Sequence, residues 1–232
     1  PLIPQESSPY SPSSRRYLNP LYLRIEDLPG AQNIGPDLSR LAGMGQALNA
    51  DRHIDRDRVY RLKQEALQRL WKSFDGDEEF ERFQSAGGRW LRQYALHCCL
   101  VERFGADWRA WPVEYRHPDS PAVERMASEE KDPVTFYMWQ QWLLDRQMAA
   151  AAHIIPLMHD LPIGFSPDGA DAWAWQDLIA ADVTVPTCSM RPVRIGGFPR
   201  LSRIDSGLWG TNQSSRRSAR SSAMPEACAS TM

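Results

Sequence analysis

IIPLMHD, residues 154 to 160, is the stretch on which the fold reading turns. Ile154, Ile155, Leu157 and Met158 form a short apolar run without alternation, the pattern of a parallel strand covered by helices on both faces. Pro156 removes one ladder donor and counts against a central strand. His159 and Asp160 then fall at the carboxyl end of the strand, where α/β barrels carry their working residues. Upstream, a helix is expected from Asp132, with Pro133 at its first position, through Phe136, Trp139, Leu143 and Leu144 to Ala152. Before it, Leu91, Tyr94, Ala95 and Cys98 recur at helical spacing between about Gly88 and Phe104. Val59, Leu62, Ala66 and Leu70 do so from Val59 onward, with Leu67, Trp71 and Phe74 beside them.

The flanks read differently. Prolines at 1, 4, 9, 12, 20 and 29 forbid a long helix over residues 1 to 30, and the serines around Ser11 favour turns, with Tyr10, Tyr17 and Tyr22 as aromatic anchors. At the other end, residues 186 to 232 carry 7 Arg against only Asp205 and Glu226, a charge of +5. Residues 1 to 185 carry 20 Lys+Arg and 27 Asp+Glu, a charge of −7. The last segment is rich in Ser, Arg, Ala and Gly and lacks apolar periodicity, so a disordered tail is expected. A mean hydropathy of −0.51 and the lack of an apolar run near ~18 residues give no membrane-spanning segment and an expectation of a cytoplasmic protein. Adjacent Cys98 and Cys99 suit buried thiols on a helix better than a disulfide framework, and no zinc-ligand spacing is present.

Two sites carry candidate chemistry. The loop from Ser8 to Arg16 combines hydroxyls, an aromatic face and two cations on a proline-stiffened backbone. Sugars call for such a surface, with polar groups for orientation and a ring for the C–H face of the pyranose; the alternative is a Pro/Ser linker. Asp160 is either a ligand-binding carboxylate at a strand end or a turn residue, and His159 is read as structural. Trp173 and Trp175 cannot share one helical face, so one is expected in the core and the other at a groove. The serine- and arginine-rich stretch Ser214 to Ser222 could be offered as an RNA-binding tail.

SPYSPSSRRYLNPLY at 8–22, WPVEY at 111–115, YMWQQWLLDRQ at 137–147 and MHDLPIGFSPDGADAWAWQD at 158–177 together resemble the 4-alpha-glucanotransferase (amylomaltase) family, glycoside hydrolase family 77. The first and last motifs are specific and the middle two supportive. The resemblance implies an α/β fold, part of a (β/α)8 TIM barrel with an inserted helical subdomain. It divides the chain into a cleft-bordering loop (1–30), the inserted helices with a barrel helix (31–152) and a barrel strand with its following loop and helix (153–185). It also implies a retaining transfer of α-1,4-glucan segments, with two carboxyls roughly 5 Å apart as nucleophile and acid/base. By resemblance, Ser8, Tyr10, Asp160 and Trp173 contact substrate. The catalytic carboxylates belong to strands that this chain does not reach, so the chain is expected to be inactive alone. The implied partners are maltooligosaccharides, glycogen or starch-like polymers, with no nucleic acid and no membrane; transfer between glucans implies no cofactor and no metal.

The family pattern breaks at Pro186. Codons chosen for Ser189 to Arg200 and read in a shifted frame give FNASGQDWGLPP, which contains the stretch the family has there. Residues 186–232 are therefore expected to be an out-of-frame tail with no selected function, which also removes the RNA-binding reading.

Overall fold

The computed structural model describes residues 10–158 and 160–180, together with the backbone of residues 200–201. Among these residues the chain is helical. Its helices are α1 (Gly35–Ala47), α2 (Arg56–Trp71), α3 (Glu78–Phe104), α4 (Pro121–Glu129), α5 (Lys131–Ile154) and the short α6 (Ala170–Ala174). The one strand pairing among the described residues is antiparallel and two residues long, Ile179 opposite Leu201 and Ala180 opposite Arg200.

Local chemistry sets the helix ends. Asp55 accepts from the Arg58 amide at 3.0 Å to start α2, and Asp77 accepts from the Glu79 amide at 2.7 Å to start α3. Both satisfy amides that the first helical turn leaves unpaired. Ser120 caps α4, whose first residue is Pro121. The expectation of a helix from Gly88 meets a real break: α3 is two helices joined at Gly88, whose φ of 49° and ψ of −140° are non-helical. Such a backbone is strained for any side-chain-bearing residue.

α5 is the central element. Phe136, Trp139, Trp142, Leu143 and Leu144 enter one apolar cluster with Leu67 and Leu70 of α2 and with Leu23, Ile25 and Leu28. Val134 and Tyr137 enter a second cluster with Leu96, Leu100, Trp111, Val123 and Trp173. Between Val134 and Leu144 most of α5 is buried on more than one side, which accounts for its weak amphipathicity. Each glutamine of α5 does a specific job. Gln141 accepts from the Leu18 amide and donates to the Leu18 carbonyl, both at 2.9 Å. Gln147 does the same for Arg24, at 2.9 and 2.8 Å. Gln140 and Gln64 of α2 exchange two amide hydrogen bonds at 2.9 and 3.0 Å in the core. The N-terminal segment, whose prolines leave it only short 3-10 turns, thus has the backbone groups of Leu18 and Arg24 satisfied by side chains of α5. The Lys63 ammonium of α2 completes this by donating to the carbonyls of Leu21 and Leu23.

The expected strand at 154–158 is not formed. α5 runs on to Ile154, and Ile155 turns extended with φ −142° and ψ 138°. The following residues have no ladder partner among the described residues. A parallel strand needs neighbours on both edges and layers on both faces, which an apolar run does not itself supply. Here Ile154 is 87% exposed, Met158 97% and Ile163 95%. Cys98 and Cys99 are free and buried on α3, as their adjacency predicted. The tail at 186–232 lies outside the described residues save for the backbone of 200–201.

Candidate functional site

The two stretches with the most specific chemistry, near residues 10–17 and 160–175, meet in space. Ser14 donates its hydroxyl proton to Asp171 Oδ1 at 2.7 Å, and the Arg15 amide donates to Asp171 Oδ2 at 2.7 Å. The Ser14 oxygen in turn accepts from the amides of Arg16 at 3.0 Å and Tyr17 at 3.3 Å. Alongside, Ser166 N–H donates to Pro12 O at 2.8 Å, and Asp171 N–H to Ser13 O at 3.2 Å. The Ala170 amide donates to Ser13 Oγ at 3.2 Å. These contacts join residues more than 150 positions apart in the chain.

Gly169 allows the approach. A β-carbon there would stand 2.3 Å from Ser13 O and 2.8 Å from Ser13 Cα, well inside contact distance and against backbone. Asp171 itself is buried. Burial pushes its pKa up, while the Arg15 amide, the Ser14 hydroxyl and the charges of Arg16 and Arg15 pull the other way. On the outer side of the 166–171 loop, Pro167 O accepts from Trp108 Nε1 at 3.0 Å, and Arg109 bridges Pro167 O and Asp168 Oδ1.

The structure separates the residues singled out in the sequence. Tyr10 is 57% exposed at the start of the clamped loop. Asp160 is exposed on the segment leading into the 166–171 loop. Ser8 and His159 lie outside the described residues. Trp173 is 0% exposed: its ring packs 6.0 Å from Trp111 and 5.7 Å from His97, and its Nε1 donates to Tyr115 O at 3.2 Å. A ring without an exposed face cannot stack on a sugar, so Trp173 is the core member of its pair. Trp175, half-buried, stands edge-on to Trp90 at 5.8 Å, with the Arg16 guanidinium over both rings at 5.1 and 5.4 Å. It borders a small depression shared with Arg16, Tyr17, Trp90 and Asp171.

Two residues that sequence reasoning passed over matter most. The pairing of Asp171 with Ser14 has no local signal, because the spacing is long and either residue could serve as a cap or turn. His97 is wholly buried between Trp111 and Trp173. Its ring nitrogens have no well-formed hydrogen bond among the described residues. Burial pushes its pKa down to about 3, with the Asp168 backbone pulling more weakly upward. A separate groove of about 420 Å³ lies between α1, α2 and residues 22–26, lined by Tyr22, Asn49 and Lys63 among others; it includes none of Tyr10, Asp160 or Trp173. No group of three potential metal ligands occurs among the described residues, and no described helix is long and apolar enough to cross a membrane.

The chain is similar to curated proteins named 4-alpha-glucanotransferase. That of Mycobacterium tuberculosis is 38% identical over 197 residues, covering 78% of this chain and 27% of the relative. That of Aquifex aeolicus is 28% identical over 211 residues, covering 88% of this chain and 41% of the relative. That of Thermus thermophilus is 28% identical over 170 residues, covering 68% and 33%. The chain therefore spans about a quarter to two fifths of the length of these relatives. The sequence model of the 4-alpha-glucanotransferase family matches residues 1–201, beyond the break read at Pro186. With a match over most of its length and the two most specific motifs hydrogen-bonded to each other, this chain belongs to the 4-alpha-glucanotransferase family of glycoside hydrolases, family 77.

Proposed function

We propose that this chain is the glucan-recognising portion of a 4-alpha-glucanotransferase, which moves an α-1,4-glucan segment to the 4-hydroxyl of an acceptor glucan or glucose. The observation that carries this reading is the junction at Asp171, which brings the loop bearing Tyr10 against the loop that follows Asp160. Tyr10 offers an exposed ring for a pyranose face and Asp160 an exposed carboxylate for sugar hydroxyls. Ser8, two residues before Tyr10, is proposed as a further hydroxyl contact.

Retaining transfer needs two carboxyls roughly 5 Å apart, one a nucleophile and one an acid then a base. This reading assigns neither role to an acidic residue of the chain. The chemistry is therefore assigned to barrel strands of the family fold outside this sequence, and the chain alone is proposed to be inactive. In that fold the 154–158 segment is proposed to become a barrel strand, and the out-of-frame reading of residues 186–232 is kept as part of this proposal. The donors and acceptors are maltooligosaccharides and glycogen- or starch-like polymers, handled in the cytoplasm without a cofactor, nucleic acid or membrane.

Incubation of the homogeneous chain with maltotriose tests the assignment of chemistry: no glucose should be released above a heat-inactivated control. Sustained glucose release, with maltopentaose as co-product, would overturn it. The second reading, a glucan-binding piece that serves no transfer at all, shares the same exposed ring and carboxylate. Adding the remaining barrel segment of a relative in trans separates the two, since only a portion of a transferase can gain turnover.

A further inference from the structure

Asp171 is a buried carboxylate that the proposed transfer does not use, and its hydrogen bonds run to a single turn of the first loop. Pro12, Ser13 and Ser14 offer little apolar surface, so polar bonds rather than packing must set that turn's shape. A charge placed at this depth is tolerated only when its oxygens are occupied, and here one takes the Ser14 hydroxyl and the other the Arg15 amide. Ser14 relays the hold, because its oxygen accepts from the Arg16 and Tyr17 amides. Tyr17 is thereby seated on Tyr94, with ring centroids 4.4 Å apart. On the opposite flank, the Ser166 amide fixes Pro12 O two residues from Tyr10.

We infer that Asp171 is a positioning residue: its carboxylate holds the Pro12–Tyr17 turn against the 166–171 loop, so that Tyr10 meets a bound glucan in one geometry. This inference rests on the reading of Tyr10 as a sugar contact. Asparagine at 171 keeps one acceptor oxygen and presents an NH₂ in place of the other, so the charge-assisted bonds to the Arg15 amide and the Ser14 hydroxyl become weaker neutral ones with almost no change in volume.

The test uses the whole chain. In Asp171→Asn, hydrogen exchange at the Arg15 amide should accelerate roughly 10-fold or more, and maltoheptaose affinity should fall by roughly 10-fold, as expected when bonds to a charged group become neutral ones. The helical circular dichroism should stay unchanged. In a Tyr10→Ala background, Asp171→Asn should cost little further affinity, since both changes act through one contact. Should Asp171→Asn fail to fold, Ser14→Ala serves instead; it removes the hydroxyl bond to Asp171 together with the relay, and faster exchange should appear at the Arg16 and Tyr17 amides. Unchanged Arg15 exchange, or additive losses in the double variant, would overturn the inference. Failure of the unmodified chain to bind maltoheptaose would sink the glucan reading instead, while the exchange measurement still judges the hold of Asp171 on the loop.

Discussion

His97 sits with its imidazole enclosed by Trp111 and Trp173, and in the unfolded chain the same ring takes up a proton near pH 6.5. Its folded pKa of about 3 lies below that value. Between the two, the unfolded state binds more protons, so its contribution to stability is present above pH 6.5 and lost as pH falls toward 3. By pH 4 the loss attributable to His97 should be on the order of 3 kcal/mol, at ~1.4 kcal/mol per pKa unit. Urea denaturation between pH 7 and 4 checks this: His97→Leu should flatten the slope, and an unaltered slope would remove the assignment. Asp171 works in the opposite sense, because its raised pKa eases its burial as pH falls. Gly169→Ala should destabilise by about 1–3 kcal/mol, since its β-carbon meets backbone rather than a side chain that could move aside. At this scale the sequence was legible in part. The hydroxyl-rich loop and Asp160 could be seen as candidate sites, and one of Trp173 and Trp175 could be assigned to the core. Which tryptophan, and which acid met which serine, depended on contacts across more than 150 residues that no spacing rule encodes.

The helices were read from periodicity, and α2, the second half of α3 and α5 emerged close to where the apolar stripes placed them. α1 was not legible, because Gly43, Gly45 and Pro36 interrupt its pattern and it buries only Leu41. The break in α3 follows from its Gly87-Gly88 pair, and Gly88→Ala should cost about 1–3 kcal/mol for forcing a β-carbon onto a φ of 49°. Thermal unfolding of the variant measures this directly. The glutamines of α5 look anomalous on an apolar helix until the backbone of the proline-rich segment is considered. Gln141→Leu would bury both the amide and the carbonyl of Leu18 without partners, and a loss of about 2 kcal/mol is expected despite the gain in apolarity. A neutral or stabilising result in chemical denaturation would show that water takes over those groups. The strand at 154–158 is the reverse case: apolar composition identified the segment, but pairing is a property of neighbours, and α5 instead continued to Ile154.

For the molecule as a whole, two apolar clusters share α5 in a helical body, whereas Ile154, Met158, Leu161 and Ile163 are each exposed within a ten-residue stretch of chain. Contiguous exposure of this kind favours association. The purified chain should therefore self-associate with rising concentration, and Ile154→Ser combined with Met158→Ser should reduce that in sedimentation velocity. The central claim concerns the junction at Asp171, where two distant loops are tied together and proposed to present one surface to an α-1,4-glucan. Isothermal titration of maltoheptaose into the chain and into its Tyr10→Ala variant tests it most directly. The account predicts saturable binding with one site per chain that weakens at least roughly 10-fold when the ring is removed. Absence of binding, or binding indifferent to Tyr10, would contradict it.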